Sequence, residues 1–135
     1  MFEGDLSELD TRALLSAGAE FRAIEDRAAA RQLEVALVFA DRCPDPRADA
    51  DYGAGFEDPL AGGEKGRVYG GVGCPAVAEF AAAELAAVFG WSTGVGEAFM
   101  GEAQALRYRL PRIWAMVLAA EAVPWRARQV ARGPA

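Results

Sequence analysis

Six arginines toward the end of the chain carry the side-chain chemistry best suited to a ligand: Arg107, Arg109, Arg112, Arg126, Arg128 and Arg132. A guanidinium is always charged, and its planar fork of donors suits a phosphate or a carboxylate. Arg107 and Arg109 flank Tyr108 just ahead of a proline, and Arg128 and Arg132 are spaced i,i+4, on one face of a helix. Two readings fit this pattern. One is a surface that contacts the phosphates of DNA; the other is a solvated face, or ion pairs with acids of the first helix. Residues 104–135 hold these 6 arginines against Glu121 alone, whereas residues 1–103 hold 8 basic and 19 acidic side chains. With a net charge of −6 the whole chain is a poor general binder of nucleic acid. Any contact with DNA therefore falls to the basic end.

Catalytic constellations are harder to assemble. The 135 residues include no histidine, so Ser-His-Asp and Cys-His schemes have no base. Carboxylates abound, but no pair is set to split its protonation, and Glu79 and Glu84 are five apart, off a shared helical face. Cys43 and Cys74 lie in no CxxC and lack a histidine to complete a zinc site; reduced thiols are expected. Gly71-x-Gly73-x-x-Ala76 matches a relaxed dinucleotide fingerprint, yet no buried strand precedes it and Pro75 sits inside it. Asp49-x-Asp51 with Gly53 hints at a calcium loop, but its twelfth position is Leu60 rather than an acid. Trp91, Trp114 and Trp125 have rings that can stack on bases; packing at the core is the expectation for each. No catalytic residue, metal site or cofactor is expected.

The elements that position these residues read as helices. Hydrophobic residues make up 53% of the chain, enough for one small core, much of it alanine. Leu14, Ala17, Phe21, Ile24, Ala28, Val35 and Phe39 recur at helical spacing and predict one long helix over residues 8–41, capped by Ser7 or Asp10. That stripe should pack on later helices, because a long helix is not stable alone. Gly18 is a weak point within it. Arg12, Glu20, Arg27, Arg31 and Glu34 form a solvated outer face. Cys43-Pro44-Asp45-Pro46 ends the helix, and the Gly- and Pro-rich residues 42–74 read as a long loop with a short extended piece at Arg67–Tyr69.

Helices resume at Pro75, which suits a first helical position, with Val77, Phe80, Ala81, Leu85 and Val88 as the apolar stripe and Gly90 as the stop. Ser92 or Thr93 caps the next helix, which runs to about Tyr108. Leu110-Pro111 and Val123-Pro124 open two more, so residues 75–132 form helical hairpins. The first of these is helix-turn-helix-like. A DNA reader would expose donors at the start of its second helix, where this chain offers Gly94, Gly96, Glu97 and then Glu102. An ordinary hairpin in a packed bundle is the competing reading. The fold class expected is all-α: one long N-terminal helix, a long loop and four shorter helices in a single domain.

Several segments together resemble domain of unknown function 222, the helical domain found ahead of His-Asn-His (HNH) endonuclease domains in many bacterial proteins. They are Val77-Ala78-Glu79-Phe80-Ala81, Ala83-Glu84-Leu85, Arg107-Tyr108-Arg109-Leu110-Pro111-Arg112-Ile113-Trp114 and Val123-Pro124-Trp125-Arg126-Ala127-Arg128. The Leu110-Pro111 and Val123-Pro124-Trp125-Arg126 stretches are the specific parts. The resemblance implies a helical module whose relatives often continue into a metal-dependent nuclease. This chain stops at Ala135 without any histidine, so it implies a truncated or stand-alone N-terminal domain and transfers no catalytic residue.

The expectation is a non-catalytic module of this HNH-associated kind that supports DNA engagement or assembly. The alternative is an interaction or degraded-gene fragment whose uncovered helix faces, around Phe39, Trp114 and Val130, seek a second copy or another protein. No membrane partner is expected, since charges interrupt every apolar run, and the acidic start MFEGDLSELD is no signal peptide. A cytoplasmic location is expected.

Overall fold

A computed structural model describes residues 4–46 and 65–133. These residues are mostly helical. A 3-10 turn, Leu6–Glu8, precedes α1 (Thr11–Arg42). Two short strands follow, β1 (Gly66–Arg67) and β2 (Val77–Ala78), then α2 (Ala81–Phe89), α3 (Thr93–Arg109), α4 (Pro111–Leu118) and α5 (Pro124–Arg132).

Local signals set most helix ends. Asp10 caps α1 by accepting from the Ala13 N–H at 2.7 Å, and Ser7 belongs to the preceding turn. Gly18 does not break α1. Gly90 ends α2 in the left-handed conformation (φ 73°), which glycine adopts without steric cost. Ser92 accepts from the Val95 N–H and starts α3; Pro111 and Pro124 open α4 and α5, where a missing N–H costs nothing.

Several expectations need correction; within α2, Ala81 and Leu85 of the expected stripe are buried, but Phe80 and Val88 are exposed, because Ala82 and Ala86 complete the face that meets α3. Pro75 does not begin a helix. Val77 and Ala78 pair antiparallel with Arg67 and Gly66, and Val77 also bridges to Pro44, with the Ala78 N–H donating to the Cys43 carbonyl at 2.8 Å. These ladder bonds tie the end of α1 to the start of α2 and override the helical pattern around Val77, whose side chain is fully buried. The extended piece lies at Gly66–Arg67, slightly earlier than the predicted Arg67–Tyr69.

Another correction concerns α1. Its core face is Ala30, Leu33, Ala36, Leu37 and Ala40. The stripe predicted to face inward is turned largely the other way: Leu14 is 44% exposed, Val35 is 50% exposed, and Ala28 is exposed. Ala17 is buried, while Phe21, Ile24 and Phe39 are half-buried. Leu33 and Val35 differ by two positions, about 200° around the helix, so α1 carries apolar residues on two opposite faces. The face with three alanines is the one that packs, because short side chains let another helix approach closely.

That other helix is α3, the centre of the molecule. It touches α1, α2, α4 and α5, and it is buried at Gly96, Phe99, Met100 and continuously from Glu102 to Leu106. Two glycines make the crowding possible. A Cβ on Gly96 would lie 2.5 Å from Ala86 Cβ and 2.6 Å from the Ala82 carbonyl oxygen; one on Gly101 would lie 2.6 Å from the Tyr69 carbonyl oxygen. Phe89, Trp91 and Phe99 form an aromatic cluster at one end, with ring centroids 4.8–6.1 Å apart. Trp91 and Trp114 pack on the core as expected, whereas Trp125 does not: it is 57% exposed.

Candidate functional site

The six arginines of the basic end divide into two groups. Arg128 and Arg132 lie one turn apart on α5, and both reach Glu102 in the middle of α3. Arg128 Nε donates to Glu102 Oε1 at 2.6 Å, and Arg132 donates to Oε2 from Nη2 at 3.1 Å and from Nε at 3.2 Å. Glu102 is only 4% exposed. Removing a carboxylate from water costs several kcal/mol unless it is paired and hydrogen-bonded. Here each oxygen has its own guanidinium. The Arg128 guanidinium also stands 4.8 Å over the centroid of Phe99, so α5 is clamped to α3 by charge and ring together.

Two more arginines are spent in the same way. Arg107, in the last turn of α3, pairs with Asp41 near the end of α1 at 2.9 Å, and this hydrogen bond holds its guanidinium above its already high ordinary pKa. Arg109 donates to the Gly70 carbonyl at 3.2 Å and so fastens the glycine-rich segment to α3. Of these four, only Arg107 meets an acid of the first helix, as one reading of the sequence expects; Arg128 and Arg132 meet Glu102 on α3, and Arg109 meets a backbone carbonyl. The acids involved, Asp41 on α1 and Glu102 on α3, had no local signal beyond a lone carboxylate among Phe99, Met100, Ala103 and Leu106.

Arg112 and Arg126 are different. Both are exposed, and among the described residues neither has a hydrogen bond or ion pair. Each sits in the first turn of its helix, just after Pro111 and Pro124. The helix dipole is positive there, so a cation loses roughly 0.3–1 kcal/mol of helix stability relative to a neutral residue. Helix formation therefore does not explain either arginine. Trp125, next to Arg126 in sequence, is also exposed.

The helix-turn-helix-like hairpin is an ordinary packed one. Gly96 is buried in the α2–α3 contact, Glu102 in the arginine clamp, and Glu97 pairs with Arg67 at 3.1 Å. Of the four α3 residues named for a DNA-reading face, three are engaged within the fold and Gly94 is exposed. Nor are the expected uncovered faces uniformly open. Phe39 and Trp114 are half-buried against the core, and of the three named residues Val130 is the exposed one.

A groove of about 720 Å³ runs between α1 and the α4–α5 turn, lined by Ala30, Arg31, Glu34, Val117, Ala120 and Pro124 among others. Ala120 holds a left-handed backbone (φ 61°) at its rim, a conformation unfavourable for any residue with a Cβ. Its lining mixes apolar residues with both signs of charge.

Cys43 and Cys74 are not joined in a disulfide. Cys74 is buried next to the Gly70 turn; burial pushes its thiol upward, and the nearby Arg109 charge opposes part of that shift. An upward-shifted, buried thiol is a poor nucleophile. Among the described residues, no three of His, Cys, Asp and Glu gather to hold a metal, and no helix is long and apolar enough to cross a membrane. The calcium-like Asp49 and Asp51 lie outside the described residues.

No protein-family model matches this chain, and neither a curated protein nor a solved structure is found to be similar to it.

Proposed function

We propose that the chain is a non-catalytic helical module of the HNH-endonuclease-associated kind, and that it works through assembly with protein rather than by reading DNA. The observation that carries this reading is the clamp on Glu102. With Arg128 and Arg132 held there, Arg107 on Asp41 and Arg109 on Gly70, four of the six arginines are committed to holding helices together. A guanidinium already paired to a carboxylate has little charge left to displace counterions from a duplex. A cytoplasmic location goes with this reading, in keeping with two cysteines that are not joined in a disulfide.

The test is fluorescence anisotropy of labelled duplex DNA against the purified chain across a salt series. Little or no binding at low salt is expected. Binding that weakens steeply with salt would overturn the assembly reading in favour of a second one, DNA engagement through Arg112, Arg126 and Trp125, which their unpaired first-turn placement favours. In that event Arg126→Glu should lower affinity more than Arg128→Glu. Metal-dependent cleavage of DNA by the chain alone would overturn the non-catalytic part.

A further inference from the structure

Helices α4 and α5 are alike in length and unlike in how they are held. The first sets Val117 in the core and, with its cap Leu110, lays Ile113 and Trp114 against it. The second buries Pro124 and Ala127 and half-buries Ala131, all of them small. Its larger apolar side chains, Trp125 and Val130, are more than half exposed. A helix of 9 residues is too short to persist alone in water. With so little apolar area buried, α5 is docked mainly by charge. Arg128 and Arg132 hold Glu102, and the Arg128 guanidinium stands over Phe99.

The change in anchoring falls at a strained turn. After α4, the N–H groups of Glu121 and Ala122 both donate to the Met116 carbonyl, and Ala120 closes the turn in the left-handed conformation (φ 61°). Glycine is the usual residue at such a helix end, and a Cβ makes the conformation costly. The turn is not sealed from beneath, because the groove of about 720 Å³ runs between it and α1. Releasing α5 frees Ala120 to leave its strained conformation.

We propose that α5 is a detachable latch. It comes off α3 about the turn 119–123 while α1, α2, α3 and α4 stay folded, and the clamp on Glu102 sets how often it opens. Opening uncovers the Glu102 carboxylate and one face of the Phe99 ring, the two groups that Arg128 now covers. The latch needs no partner to open, so it stands or falls separately from the assembly reading.

Hydrogen exchange of the full chain, read by mass spectrometry, tests it, with amides 103–106 of α3 as the internal reference. In low salt, amides 127–132 should exchange at least about ten-fold faster than the reference, yet more slowly than an unstructured peptide. Raising salt to about 1 M, where screening acts over about 3 Å, should speed them several-fold and leave the reference unchanged. The Arg132 side chain is 62% exposed, which opens its bond to that screening. Glu102→Gln should speed α5 exchange about ten-fold and remove most of the salt response. Arg132→Gln, at an exposed position that the core does not use, should do so in part. Ala120→Gly relieves the turn and should slow the exchange several-fold. An α5 protected as well as α3, or as poorly as an unstructured peptide in low salt, would overturn the latch. So would α5 exchange that ignores both salt and the loss of charge at Glu102.

Discussion

Helices α1 and α3 pack against each other and could hardly differ more. The longer one, α1, spans 32 residues, is rich in alanine and charge, and buries Ala17 near its start and one face of its C-terminal half. The shorter, α3, has 17 residues with three glycines and is enclosed on most sides, a carboxylate included. Sequence can make a helix stable by itself or fit for a crowded centre, and the two demands pull residue choice in opposite directions. Alanine and i,i+4 charge pairs serve the first; glycines that admit a neighbouring backbone serve the second.

The contrast can be broken most severely on the inner face of α1. Leu33→Ala, at a fully buried position, should lower unfolding free energy by about 3 kcal/mol, while Val35→Ala, two residues away, should change it by less than about 0.5 kcal/mol, both read from urea denaturation. Equal losses would mean that the outer face is buried in the isolated chain. Next comes the close approach on α3. Gly96→Ala improves helix propensity, yet its Cβ meets the Ala86 side chain and the Ala82 carbonyl at under 3 Å, so a net loss of roughly 2 kcal/mol is expected. Stabilisation would show that α2 moves away freely.

Glu102→Gln keeps shape and removes charge. Because Arg132 is largely exposed and Arg128 partly so, solvent takes over some of their pairing, and a loss of about 1–2 kcal/mol is expected in thermal melts. A neutral result would mean that the clamp positions α5 without stabilising it. The smallest effect concerns Cys74. Its folded thiol titrates above the unfolded one, so its contribution is whole below the unfolded pKa, about 8.5, and is lost as pH climbs through the higher folded value. Stability measured from pH 8 to pH 10 should therefore fall less steeply in Cys74→Ala than in the parent chain.

How much of this was legible follows from the range of the forces involved. Helix ends were readable because their causes are local: Asp10, Ser92 and Gly90 act within a turn, and Pro111 and Pro124 act on their own backbone. Which side of α1 faces inward was not, because both sides are apolar and the choice depends on what α3 presents 60 residues later. Val77 was assigned to a helical stripe because its strand partners, Arg67 and Pro44, lie far from it in sequence. The fate of the arginines was equally non-local. Their i,i+4 spacing was plain, but their target, Glu102, lies 26 and 30 residues upstream and looked like a surface acid that would repel phosphate.

The glycines of α3 also bear on how the chain finds its shape. Gly94, Gly96 and Gly101 each cost a free helix about 1 kcal/mol, so this segment has little tendency to coil before it is surrounded. The element that ends up innermost is thus among the least able to form early. Order must be imported from α1, whose nucleus needs no tertiary help to flicker into being, and α3 sets only as its neighbours close over it. Mutations at the α1–α3 seam should accordingly slow refolding, whereas loosening the α5 clamp should mainly quicken unfolding.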